Sequence, residues 1–262
     1  MEKHHADSIR NLVSEFEKDS SVRALVLGGS IAHGFARTDS DIDVSIVVDA
    51  EEYRRRQREH RLHYNNRTLC TYDGYIDGKY VDLDFLRLVA ERGSEPARFA
   101  YDGAQVLFSR IDGLEALLAE IVRYPVEGKR ERIERFGAQL LAWRWFFSEG
   151  VRQENAYLRT LAISKLVLFG CRAVLAENER LFPFHKWMLR VTASAKRRPA
   201  GLMGAIDGLL TAPTGEKVDG YVRGVLAFAG IDHDVANAAW PTTFMKDTEL
   251  TWVREKAGID EI

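Results

Sequence analysis

Two apolar runs, residues 22–27 and 44–48, bracket a polar turn that opens on Gly28-Gly29-Ser30 and closes, after ten intervening residues, on Asp41-Ile42-Asp43. That order narrows the choice of fold more than anything else in the chain. Residues two apart in a strand point to the same side, so Asp41 and Asp43 bring two carboxylates side by side at the mouth of a β-branched run. Asp is depleted in strands, and neighbouring carboxylates repel unless a cation joins them. A plain Gly-rich hairpin gives no reason for the pair.

The chemistry of these residue types is specific. Two carboxylates can hold divalent cations, and Mg²⁺ favours carboxylate together with phosphate oxygens. Glycine lets backbone come close to a phosphate, and the Ser30 hydroxyl and nearby N–H groups can donate to it. The segment resembles the signature of the DNA polymerase β-like nucleotidyltransferase superfamily: Gly-Gly/Ser, a spacer, then Asp-x-Asp on a strand. The resemblance implies an NTP, most often ATP, bound against Gly28, Gly29 and Ser30, and two Mg²⁺ ions held by Asp41 and Asp43. It also implies a third carboxylate on a later strand with apolar flanks. The segment Lys79-Tyr80-Val81-Asp82-Leu83-Asp84-Phe85-Leu86 offers Asp82 and Asp84 with equal parity; Asp82 is favoured as the catalytic, metal-binding residue and Asp84 is the alternative.

Competing phosphate motifs fail on named residues. A Walker-type loop needs Gly-Lys-Ser/Thr where Gly34 is followed by Phe35 and Ala36, and a dinucleotide fingerprint needs Gly-x-Gly-x-x-Gly. A hydrolase elbow around Ser30 needs glycine where Ala32 stands.

The 262 residues suffice for one large or two modest domains. An apolar fraction of 46% against 29% charged residues is that of an ordinary globular chain. The N-terminus carries no signal-peptide apolar core, and the long apolar stretch 161–176 is broken by Lys165 and Arg172, so no membrane partner is expected. Cys70 and Cys171, the two cysteines, suggest free thiols in a reducing cytoplasm. A net charge of −2 argues against a nucleic-acid partner. The basic run from Arg54 to Arg61 reads as a solvated helix face, with His60 and His63 one turn apart on it.

Along the chain, an amphipathic helix is expected over residues 6–18, then strand, turn and strand to residue 48 and the basic helix. Residues 67–75 and 80–86 alternate like strands separated by Asp77-Gly78, followed by a short helix over 96–101 and a strand over 105–108. After Pro125 and Gly128 the pattern turns helical, with helices expected over 129–149, 155–177, 202–210, 215–228 and 248–256. The fold class is therefore α/β (α+β): a mixed-sheet catalytic domain, 1–125, followed by an all-α domain, 126–262, with a cleft between them.

This layout is similar to the aminoglycoside and lincosamide nucleotidyltransferases, whose helical domain covers the nucleotide and shapes the acceptor pocket. The resemblance implies Lys165 and Lys186 as triphosphate contacts and a glutamate of the helical half as an alternative base. Trp143, Trp145, Phe146 and Phe147 form an aromatic cluster that reads chiefly as core. Arg180 and His185 have a spacing found in helical ribonucleases, but Pro183 between them breaks the required helix. The expected activity is transfer of a nucleoside monophosphate to a hydroxyl of a small molecule, an antibiotic being one candidate. The alternatives are modification of a protein or RNA, and a silent nucleotide-binding module.

Overall fold

Alternation along one strand decides how the sheet is dressed. In β2 (Ile42–Val48), Ile42, Val44, Ile46 and Val48 point to one face and are buried, whereas Asp43, Ser45 and Val47 point to the other. The second face thus begins acidic and ends apolar. β4 (Ile76–Val81) lies parallel to β2 and repeats the pattern in register: Asp43 beside Asp77, Ser45 beside Lys79, Val47 beside Val81. The computed structural model describes residues 1–253 and 259. It divides into two compact units, Met1–Arg123 and Tyr124–Ile262.

The first unit runs α1 (Lys3–Phe16), β1 (Val22–Leu27), the single turn α2 (Gly29–Ala32), β2, α3 (Ala50–Arg58), β3 (His63–Asn66), β4, α4 (Leu83–Arg92), α5 (Glu95–Phe99), β5 (Gln105–Ser109) and α6 (Leu114–Ile121). The sheet order is β3-β4-β2-β1-β5. Only β2 and β4 are parallel, and the remaining neighbours are antiparallel. Ile9, Leu12 and Phe16 of α1 pack on the face made by Leu25, Leu27, Ile42, Ile46 and Ile76. Leu86 and Val89 of α4 and Leu114, Leu118 and Ile121 of α6 pack on Ala24, Val26, Val47 and Val81. Side chains such as Leu12, Leu25, Ile46 and Ile76 are 0% exposed, and each such burial stabilises by about 1.5–3 kcal/mol.

The structure departs from four sequence expectations in this unit. Residues 67–75 form an irregular connection rather than a strand, and the strand expected at 80–86 is displaced to Ile76–Val81. Asp77-Gly78 looks like a hairpin turn, yet Gly78 lies inside β4, where a Cβ would press on Val44 Cγ2 at 2.9 Å. Close approach of neighbouring side chains, not a turn, is what that glycine allows. The basic helix ends at Arg58, so His60 and His63 do not share it: His60 has φ 54° and His63 opens β3.

The second unit contains α7 (Lys129–Arg152), α8 (Ala156–Glu177), α9 (His185–Ala193), α10 (Leu202–Thr211), α11 (Gly215–Phe228) and α12 (His233–Phe244), then a π-helical turn over Met245–Glu249 and a 3₁₀ turn over Thr251–Val253. The single helix expected over 248–256 is thus replaced by two short turns up to Val253, and residues 254–256 lie outside the described residues. Asn155 starts α8 by accepting from Leu158 N–H at 3.0 Å, the usual service of an N-cap side chain. Arg172 is 1% exposed and lies over the rings of Phe136 and Phe182, at 4.7 and 4.4 Å. Pro183 keeps Arg180 and His185 off a common helix, since α9 begins at His185. Among the described residues no helix is long and apolar enough to cross a membrane.

Candidate active site

Gly29 is the point where backbone and carboxylate meet. It has φ +61°, a region that costs an L-residue about 1–2 kcal/mol. A Cβ at Gly29 would collide with the Asp43 carboxylate. Glycine is therefore required twice at this position, by conformation and by space. Gly28 serves the sheet instead. Its N–H donates to the Asp43 carbonyl at 2.9 Å, extending the β1–β2 ladder to the motif. Ser30 is 5% exposed, and its Oγ has no hydrogen-bond partner among the described residues. Leaving a buried hydroxyl unmatched costs roughly 1–3 kcal/mol.

Asp41 precedes the first residue of β2 and is half-buried, as is Asp43. The Tyr75 hydroxyl lies against Asp41, whose charge and hydrogen bond raise the Tyr75 pKa. On the neighbouring strand the acid in register with Asp43 is Asp77, and His63 Nε2 meets its Oδ1 at 2.7 Å. Lys79, two residues on, is reachable by solvent yet crowded by protein. That crowding lowers its pKa while the charge of Asp43 opposes the shift. Its Nζ lies 5.0 Å from the centre of the Tyr101 ring.

Asp82 and Asp84 do not join this group. Asp82 is the N-cap of α4 and accepts from Phe85 N–H at 2.8 Å. Asp84 sits in the first turn of that helix, 78% exposed, paired with Arg87 at 3.0 Å. Both line a depression at the far end of β2 and β4, with Val48, Asp49 and Arg110. Five residue-to-residue steps along extended chain separate Asp77 from Asp82, about 16 Å at the usual rise. Sequence parity places Asp82 and Asp84 on one strand face, but Leu86 and Val89 begin the apolar stripe of a helix. Sequence reasoning misses Asp77 because its glycine neighbour disguises the strand.

Among the described residues no three His, Cys, Asp or Glu side chains gather to hold an ion by themselves. The donor set still fits Mg²⁺, which is commonly held by one or two carboxylates plus substrate phosphates rather than by a protein cage. Asp41 and Asp43 would supply such carboxylates, and the lack of a side chain on Gly29 is what lets the Asp43 carboxylate lie against the backbone of the motif.

Lys165 and Lys186 belong to different helices of the second unit. Lys165 Nζ lies 5.9 Å from the Trp143 ring centre, and the exposed Lys186 lies 5.2 Å from that of Trp187. In the aromatic cluster, Phe147 is core at 3% exposure and Trp145 is 49% exposed. Trp143 and Phe146 pack on Phe244, and Trp143 Nε1 donates to Gln139 at 3.1 Å. The arginines of α3 are largely occupied: Arg55 pairs with Glu52 and Glu59, and Arg56 pairs with Glu52 and covers the Tyr80 ring. Cys70 and Cys171 are free, and burial raises both thiols, Cys171 to about 12.

The family described as nucleotidyltransferase domain matches residues 9–141. Among solved structures, a nucleotidyltransferase-like protein from Exiguobacterium sibiricum 255-15 is similar, with a TM-score of 0.48 and 11% sequence identity over 92% of this chain and 80% of that one. No curated protein matches.

Proposed function

The chain belongs to the nucleotidyltransferase domain family, and on that premise we propose that it transfers a nucleoside monophosphate from an NTP, ATP in our reading, to a hydroxyl group of a small molecule. The observation that carries the proposal is the junction of Gly29, Ser30 and Asp43. A left-handed glycine lets a carboxylate pack directly against its backbone, and a buried hydroxyl beside it has no partner among the described residues.

In this reading Ser30 Oγ donates to the triphosphate, and so do the N–H groups of Gly29, Ser30 and Ile31, which precede the first donor of the helical ladder, Ala32 N–H. Asp41 and Asp43 hold Mg²⁺, which when bound neutralises charge on the phosphates. The acceptor oxygen forms a bond to the α-phosphorus, the bond from that phosphorus to the bridging oxygen breaks, and pyrophosphate leaves. The acceptor proton passes to a carboxylate, for which Asp77, in register with Asp43, now stands ahead of Asp82. Lys79 adds positive charge on the same sheet face. The chemistry is chiefly positioning and charge neutralisation.

A small acceptor is favoured over RNA because the α3 arginines Arg55 and Arg56 are already neutralised by glutamates close in sequence. The test is incubation with α-labelled NTPs and Mg²⁺ against aminoglycosides, lincosamides, cell proteins and RNA. Label on a small molecule supports the proposal. Label confined to protein or RNA replaces it, and no transfer to any acceptor with bound NTP identifies a silent module.

A further inference from the structure

Asp41 lies outside the ladder that fixes Asp43, so something other than the sheet must set its direction. The first β2 residue is Ile42, and residues 38–41 belong to neither helix nor strand. Three rings, two from α1 and one from the connection before β4, converge on this turn. His4 Nε2 donates to the Thr38 carbonyl at 2.9 Å. His5 Nε2 and the Tyr72 hydroxyl both donate to the Ser40 carbonyl, at 3.2 and 2.6 Å. The rings also touch one another, with centres 4.3 Å apart for His4–His5, 4.5 Å for His4–Tyr72 and 5.1 Å for His5–Tyr72. His5 is 0% exposed.

The consequence follows from peptide planarity. The Ser40 carbonyl and the Asp41 N–H share one rigid plane that ends at the Asp41 Cα. A carbonyl oxygen has two lone pairs, and here two donors engage it, which fixes that plane. The next plane is fixed as well, because Ile42 N–H donates to the Tyr75 carbonyl at 3.1 Å. With both flanking planes pinned, the Cα–Cβ direction of Asp41 is set. We infer that His5 and Tyr72 are positioning residues for Asp41, a clamp by which α1 and the connection before β4 aim this carboxylate at the metal. The inference rests on the reading of Asp41 as a metal ligand.

The experiment measures free Mn²⁺ by electron paramagnetic resonance while the full chain is titrated with Mn²⁺ in the presence of a non-hydrolysable ATP analogue. Tyr72→Phe keeps the ring and removes one donor. His5→Leu removes the other, and His5→Gln restores an N–H at similar reach. Circular dichroism confirms that each variant is folded at the temperature used. Tyr72→Phe and His5→Leu are expected to weaken Mn²⁺ binding about 3- to 10-fold, the range for one lost hydrogen bond, and His5→Gln to recover most of the loss. A residue that served only to dock α1 would leave metal affinity unchanged. Wild-type Mn²⁺ affinity in Tyr72→Phe, with binding lost in Asp41→Asn, overturns the clamp and leaves the site intact. Wild-type affinity in Asp41→Asn itself overturns the metal reading and the clamp together.

Discussion

The two ends of the β2–β4 pair carry the same residue type in opposite structural settings. At one end Asp43 and Asp77 lie in register on neighbouring strands, beside Asp41 and Gly29. At the other, Asp49 and Asp82 follow the last strand residues and cap helices: Asp49 accepts from Glu51 and Glu52 N–H, and Asp82 from Phe85 N–H. A capping carboxylate satisfies the helix start and stabilises the fold by about 1 kcal/mol. Carboxylates side by side, with a glycine held in left-handed geometry against one of them, do the reverse. They bring like charges together, with Lys79 close enough to Asp43 for their opposite charges to interact and His63 against Asp77. What an aspartate does here depends on the strand end that presents it.

The comparison is broken most sharply by exchanging losses at the two ends. Asp41→Asn and Asp43→Asn are expected to abolish nucleotidyl transfer while leaving stability to urea equal to or slightly above wild type, because each removes repulsion from the apo site. Label transfer and urea midpoints measured on the same samples check both halves. Gly29→Ala should come next. It is expected to remove nearly all transfer and to cost at least about 1–2 kcal/mol of stability, from its positive φ alone, before displacement of the Asp43 carboxylate is counted. Urea midpoints and nucleotide titration show whether both losses occur.

At the capping end, Asp82→Ala should cost about 0.5–2 kcal/mol of stability and leave the transfer rate per folded molecule near wild type. Loss of transfer in a fully folded Asp82→Ala would erase the distinction between the ends. Ser30→Ala divides its effects differently. The apo protein should gain up to about 1 kcal/mol as an unmatched buried hydroxyl disappears, while nucleotide binding weakens about 5- to 10-fold. Calorimetric titration with the nucleotide, set beside the urea midpoint, reads both signs.

The smallest expected effect concerns His33, at the end of α2. Its side chain is 6% exposed and lies between Phe35 and Phe99, at ring separations of 5.4 and 4.5 Å. Burial lowers its pKa, and Asp102 at 3.8 Å only partly opposes that. The folded-state pKa therefore lies below the unfolded value of about 6.5, and the unfolded chain takes up the proton first as pH falls. The stabilisation is full above that value and is lost as pH falls below it toward the folded pKa. His33→Phe should show a smaller fall in urea midpoint between about pH 7.5 and 5.5, the window that brackets the unfolded pKa, than wild type does.

The glycine-serine turn, the paired aspartates and the change from mixed sheet to helices are legible because each rests on local chemistry. A glycine-serine turn, a period of two and a period near 3.6 all show in adjacent letters. Asp77 is not legible in this way. Its partner in register, Asp43, is far away along the chain, and the Asp-Gly pair imitates a turn unless Val44 and Tyr64 are known to crowd Gly78. The letters around Asp82 mislead in the other direction: Val81-Asp82-Leu83-Asp84 alternates over too short a stretch to separate the end of a strand from the cap of a helix. The His5–Tyr72 clamp is hidden for the same reason as Asp77, since α1 and residue 72 meet the Asp41 turn only in three dimensions.

The central claim, that the Asp43 end binds nucleotide and the Asp82 end does not, is tested most directly by calorimetric titration of ATP with and without Mg²⁺. The proteins to compare are the wild type, Asp43→Asn and Asp82→Asn. Wild type and Asp82→Asn are expected to bind ATP alike, only when Mg²⁺ is present, and Asp43→Asn to show no Mg²⁺-dependent binding. Binding retained by Asp43→Asn and lost in Asp82→Asn would contradict the assignment of the two ends.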